Sequence, residues 1–195
     1  SGCLHDDKMF VLGSGMVIHL PTLLEEIETL KGMGIDIINR LFVSSESHIL
    51  FEYHKDIDAT LEKRRSERMG QGLGTTKRGI GPAYMEKSGR AGIRMEQFGN
   101  DLTAELELKS ADVKKMFDVD IDVSREMDQL QKAHSVLEGR VVDTVTQLGD
   151  WVAEGKKILI EGAQGALLDL DHGTYPYVTS SSTTICGALQ GLGMP

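Results

Sequence analysis

A short apolar run, Met9 to Leu12, breaks at Gly13-Ser14-Gly15, and a second apolar run follows around Leu41 to Val43. Between them Leu23, Leu24, Ile27 and Leu30 fall on one helical face, with Pro21 near the start and Gly32 or Gly34 at the end. Strand, helix, strand is a βαβ unit. Two parallel strands cannot be joined by a hairpin and need a crossover of a dozen or more residues, so the pattern commits the chain to a parallel sheet. The predicted class is α/β, a mainly parallel sheet with flanking helices.

Further along, between Asp101 and Glu154, glycines are few and charges many. Leu102, Leu106, Val113 and Met116, then Met127, Leu130, Val136 and Leu137, recur at near-helical spacing, which predicts a helical insertion over about 101–155. "KKILIEGAQG" follows: Ile158 to Ile160 reads as a short buried strand, and Gly162-Ala163-Gln164-Gly165 as the loop at its end. Ligands of open α/β sheets bind beyond the carboxyl ends of strands, so that loop is a candidate site. With 195 residues and 40% hydrophobic content, residues 1–195 are expected to form a single α/β domain.

Composition removes several function classes. Cys3 and Cys186 lie far apart with no CxxC pair, which offers neither a zinc site nor a disulfide framework and fits a reducing, cytoplasmic setting. No run of about 18 apolar residues exists, and the first ten residues lack the pattern of a secretion signal, so no membrane role is expected. A net charge of −9 disfavours general nucleic-acid binding. With only 5% aromatic residues and no stacking motif, RNA binding in particular is disfavoured.

The charge is uneven, however. Lys63 to Arg94 holds nine cations against two acids, while the remainder of the chain carries −16. Lys63 to Arg68 alone reads as a solvated helix face. Directly after it, "LGTTKRGIGPAY" (Leu73 to Tyr84) has no apolar period and joins paired hydroxyls and paired cations to glycines, the donor set that cradles a phosphate. No Walker A or GxGxxG pattern fits these glycines. Asp169, Asp171 and His172 fall within four residues and raise a metal site as one reading, a turn held by side-chain hydrogen bonds as the other. Six hydroxyls in a row after Val178 read as a loop with a helix cap at Ser182 or Thr183, or as a further phosphate or base contact.

Two stretches, "GTTKRGIGPAYMEKSGRAGIRM" (Gly74 to Met95) and "EGAQGALLDLDHGTYPYVTSSSTT" (Glu161 to Thr184), together resemble the adenylosuccinate synthetase family, in the order that family has them. The likeness runs along nearly the whole chain, from a Ser1-Gly2 turn to the final "GLGMP". It implies part of the P-loop-NTPase-like fold of that family. It also implies GTP-dependent, Mg2+-dependent ligation of IMP and L-aspartate in AMP biosynthesis, through a 6-phosphoryl-IMP intermediate that aspartate displaces. Carried over by residue, Thr76 contacts the IMP phosphate, Arg90 reaches the IMP phosphate of the neighbouring subunit of a homodimer, and Gln164 and Thr179 are further IMP contacts.

The resemblance is also partial. The family's Gly-Asp-Glu-Gly-Lys P-loop with its catalytic aspartate, the nearby catalytic histidine and the part that binds aspartate and guanine have no counterpart in these 195 residues. Hence no catalytic residue and no metal ligand is assigned within the chain, the ligands of Mg2+ and GTP are expected largely outside it, and the chain alone is expected to be inactive. Ser182 stands where the family usually has asparagine, and Ile185-Cys186 where small residues are usual. The alternative reading is a non-catalytic purine-nucleotide-binding or dimerisation module.

Overall fold

The computed structural model describes residues 2–194. The turn expected at Ser1-Gly2 and the final proline therefore lie partly or wholly outside the described residues. Strand β1 (Phe10–Leu12) pairs in parallel with β3 (Leu41–Ser44), with Phe10 opposite Leu41 and Leu12 opposite Val43. Helix α1 (Leu20–Gly32) forms the crossover, so the βαβ reading of this region holds. A strand the pattern did not reveal, β2 (Val17–His19), precedes α1 and pairs in parallel with β4 (His48–Leu50). Two parallel pairs thus share one crossover helix.

Local chemistry explains the bounds of α1. The His19 imidazole caps its N-terminus, with Nδ1 accepting from Thr22 N–H at 3.3 Å, and Pro21 lies in the first turn, where an amide hydrogen is not needed. The helix ends before Gly34, whose φ of +80° stops the repeat. Leu20 and Ile27 face a core that also holds Ile18, Leu41, Val43, Ile49, Tyr53, Ile57, Ile93 and Met95.

Helix α2 (Glu52–Met69) carries the basic stretch and ends at Gly70, φ +75°. Helix α3 (Ile80–Ser88) packs on it, starting from Gly79 at φ +79°. The predicted helical region contains α4 (Thr103–Phe117), α5 (Val123–Leu137) and α6 (Thr144–Ala153). It is not purely helical: Val141–Val142 forms β5, which extends the sheet parallel to β3 in the order β1-β3-β5. With α5 ended and Gly139 left-handed, the two β-branched residues after Arg140 favour a strand. Since α5 packs on α1, and Leu106, Val113, Leu130 and Leu137 join the main core, these helices share one hydrophobic interior with the sheet.

The strand expected at Ile158 to Ile160 is absent. Residues 156–184 hold only a 3-10 turn, Ala166–Leu168, and Leu159 is 91% exposed. An apolar run becomes a buried strand only where a neighbouring backbone offers it a ladder, and none of the described strands pairs with this segment. Helix α7 (Ile185–Leu192) closes the described chain and returns to the β1–β2 turn, where Gly15 N–H donates to the Gly191 carbonyl at 2.8 Å.

Candidate functional site

The glycine-rich stretch forms a loop from Gly70 to Gly79 joining α2 to α3. Two acids of α2 fasten it. Glu62 accepts from Gly74 N–H at 2.7 Å and from Leu73 N–H at 3.1 Å, and Asp58, 7% exposed, accepts from Gly79 N–H at 3.1 Å. Burial alone would raise the Glu62 carboxyl, but the amides of Gly74, Leu73 and Thr75 hold it below its usual value. Gly79 is required twice over: its φ is left-handed, and a Cβ there would stand 2.9 Å from the His54 backbone. Between the fastened points Thr76, Lys77 and Arg78 are exposed. A groove of about 330 Å³ lies beside them, lined by Glu62, Lys63, Ser66, Gly72 and Lys77 among others.

The second motif is organised by Asp169, which is 1% exposed. Its Oδ1 accepts from Asp171 and His172 N–H, each at 3.0 Å, and its Oδ2 from Thr183 N–H at 2.6 Å. The reading of Asp169-Asp171-His172 as a hydrogen-bonded turn is therefore the one the structure shows. Thr183 does not cap α7; its hydroxyl donates to the Gly165 carbonyl at 2.9 Å, and the cap position falls on Thr184. The expected cap at Ser182 or Thr183 is displaced because tying Gly165 down uses the Thr183 hydroxyl. Ile185 and Cys186 point outward, so these larger residues do not crowd the loop.

The two motifs meet at the start of α3. A Cβ at Gly81 would touch Ser180 Oγ at 3.4 Å, the Tyr84 hydroxyl bonds Ser181, and Gln71 Nε2 bonds the Tyr177 hydroxyl. This brings the Thr76 loop beside the hydroxyl run that starts at Thr179. Thr179 itself is half-buried, its N–H donating to the Leu168 carbonyl at 2.9 Å. Gln164 is exposed, one residue before the Gly165 carbonyl that Thr183 holds. Arg90 is not part of this group. It lies past the far end of α3, exposed, at φ +59°, about 13 Å of helix away from Gly79.

Beneath the site runs a buried polar cluster. Phe51 N–H donates to His54 Nδ1 at 3.0 Å, which leaves Nε2 as the protonated nitrogen facing Glu86 Oε2 at 3.5 Å. Glu86, on α3, also accepts from the Tyr53 hydroxyl at 3.1 Å and from Lys109 Nζ at 2.9 Å. Burial would raise its carboxyl, yet His54 and Lys109 hold it below the usual range. The cluster locks α2, α3 and α4 together under the loop. At the other end of α3, Lys87 Nζ donates to the Ser14 and Gly15 carbonyls, and desolvation beside Lys87 and Arg94 pushes His48 down to about 4.

Sequence reasoning missed Asp58 and Glu62 as organisers of the first loop, and in the second it missed the tie from Asp169 to Thr183. The available signal was the four-residue spacing of two acids immediately before a glycine-rich, basic stretch. Arg64 was read with the solvated face but donates to the Met116 and Phe117 carbonyls at 3.1 and 2.9 Å, closing the end of α4. Among the described residues no group of three or more His, Cys, Asp or Glu side chains converges to hold a metal ion.

Comparison with known proteins identifies the family. The family model described as adenylosuccinate synthetase matches residues 1–195. The chain is 43% identical to the adenylosuccinate synthetase of Plasmodium knowlesi, over 99% of its own length and 44% of that protein's. It is 42% identical to that of Dictyostelium discoideum, over 100% of its length and 46% of that protein's. The structure of fully ligated adenylosuccinate synthetase from Plasmodium falciparum superposes with a TM-score of 0.92 at 40% identity, over 100% of this chain and 46% of that one. A cyanophage S-2L succinoaminodeoxyadenylate synthetase shares the fold, with a TM-score of 0.59 at 24% identity, over 96% of this chain and 41% of that one. The chain spans somewhat less than half the length of these relatives, and it belongs to the adenylosuccinate synthetase family.

Proposed function

We propose that the chain is the IMP-phosphate-binding portion of a cytoplasmic, homodimeric adenylosuccinate synthetase, which joins IMP to L-aspartate using GTP. The observation that carries this reading is the meeting of the two motifs across Gly81 and Ser180, which brings the hydroxyl run to the start of α3, where Gly81 follows exposed Arg78 by three residues. Thr76 and Thr179 supply hydroxyl donors and Gln164 an amide next to the base. Arg90 reaches the neighbouring subunit's IMP, in line with its place apart from the other three. A guanidinium presents a fixed fork of donors suited to a phosphate monoester.

Magnesium does not fit the residues present. Both Asp169 oxygens are taken by backbone N–H groups, and no acidic cluster converges elsewhere among the described residues. Its ligands, and those of GTP, are assigned to parts of the complete protein beyond these residues.

The test is calorimetric titration of the 195-residue chain and of the complete dimeric protein with IMP, each beside its Arg90→Ala form. The expected outcome is saturable binding by the complete protein that Arg90→Ala weakens about a hundredfold, the loss of a charge-assisted bidentate contact, with little change in melting temperature. Unchanged affinity for IMP would remove the role given to Arg90. Binding by the 195-residue chain alone would favour a stand-alone nucleotide-binding module.

A further inference from the structure

Asp58 and Glu62 stand four residues apart on α2, so both project from one face toward the loop that follows the helix. Glu62 holds the loop at Leu73 and Gly74, and Asp58 holds it at Gly79. The Thr75 amide is held by Glu62 as well, so only Thr76-Lys77-Arg78 lies between the fastened points. Three further observations fit a clip of this kind. Gly72 passes so close to the Glu62 carboxylate that a Cβ there would collide with it. Lys77 sits at φ +53°, a conformation the surroundings must impose on a residue with a side chain. The base of the clip is rigid, since α2 is locked to α3 and α4 through Glu86.

Carboxylates are an odd choice beside a phosphate site unless their charge is already spent. Here each is aimed at backbone N–H groups, and such charge-assisted bonds are stronger than those a neutral amide would accept. We infer that Asp58 and Glu62 are positioning residues of the phosphate loop, holding residues 76–78 as an arch that presents Thr76, Lys77 and Arg78 to a phosphate monoester before it binds. The identity of that ligand rests on the IMP reading above, whereas the clip itself does not. Pre-forming the arch removes part of the ordering cost that a free ten-residue loop would incur on binding.

The experiment combines amide hydrogen exchange with IMP titration on the complete dimeric protein as wild type, Glu62→Ala and Glu62→Gln, half-buried Glu62 being less of a folding risk than buried Asp58. In Glu62→Ala the Leu73 and Gly74 amides should exchange at least about tenfold faster, and IMP should bind about tenfold more weakly, with the melting temperature unchanged. Glu62→Gln, which keeps one acceptor oxygen, should recover part of both effects. Unchanged exchange at Leu73 and Gly74 would overturn the clip. Faster exchange with undiminished IMP affinity would overturn its positioning role. Freed amides in a variant of a complete protein whose wild type ignores IMP would uphold the clip and refute the IMP reading instead.

Discussion

At the scale of single residues, carboxylates rather than cations set the shape of this surface. Asp169 is the clearest case: burial would raise its carboxyl, but the N–H groups of His172, Thr183, Asp171 and Thr184 hold it below its usual value. Asp169→Ala would orphan these donors at once, and a buried donor without a partner is more damaging than the loss of one bond. We expect the melting temperature to fall by several degrees and the His172 and Thr183 amides to lose exchange protection, with Asp169→Asn intermediate; an unchanged melt would show that the two stretches hold together without it. The sequence displayed this turn locally, because Asp-x-Asp-His is the pattern of a side chain bonding its own following backbone. The tie to Thr183, fourteen residues on, was not legible, since no spacing rule links a carboxylate to an amide that only folding brings near.

At the scale of elements, the start of α2 depends on a residue of another helix. Glu126 of α5, 3% exposed, accepts from Tyr53 N–H at 3.2 Å, and burial pushes its carboxyl from the usual 4.5 up to about 7 despite that bond. An acid whose value rises on folding binds more protons folded than unfolded between the two values. Its favourable contribution is therefore full below pH ~4.5 and is lost as the pH climbs to about 7. Glu126→Gln keeps an acceptor oxygen without the charge and should stabilise the chain at pH 8 by on the order of 2 kcal/mol, with no gain at pH 4. Denaturant melts at the two pH values check this, and equal differences at both would refute it. Periodicity found α1, β1 and β3 because those elements bury one face against neighbours in the same stretch of chain. It misled at Ile158 to Ile160, where three apolar residues flanked by Lys156, Lys157 and Glu161 satisfy the local pattern of a strand but have no ladder to join. Val17–His19 was overlooked for the opposite reason: it is too short to show a period, and only pairing with His48–Leu50 makes it a strand.

At the scale of the whole molecule, the four residues carried over from the family divide into a near group and a distant one. Thr76 and Thr179 belong to loops that meet at the start of α3, with Gln164 tied in through Gly165, whereas Arg90 lies beyond the other end of that helix. A single site within one protomer would have to bridge the length of α3. A site shared across a two-fold axis would not, because each protomer contributes its near group to one ligand and its Arg90 to the other. The shared-site reading makes a prediction that a site within one protomer does not. Complete protein carrying Thr76→Ala and complete protein carrying Arg90→Ala should each bind IMP poorly as homodimers. After mixing and subunit exchange in equal amounts, half the dimers are mixed. Each mixed dimer pairs an intact Thr76 from one protomer with an intact Arg90 from the other at one of its two sites. About a quarter of all sites should then recover tight binding, readable as the stoichiometry of a high-affinity phase in the titration. Sites confined to single protomers would recover none, since every protomer in the mixture carries one lesion.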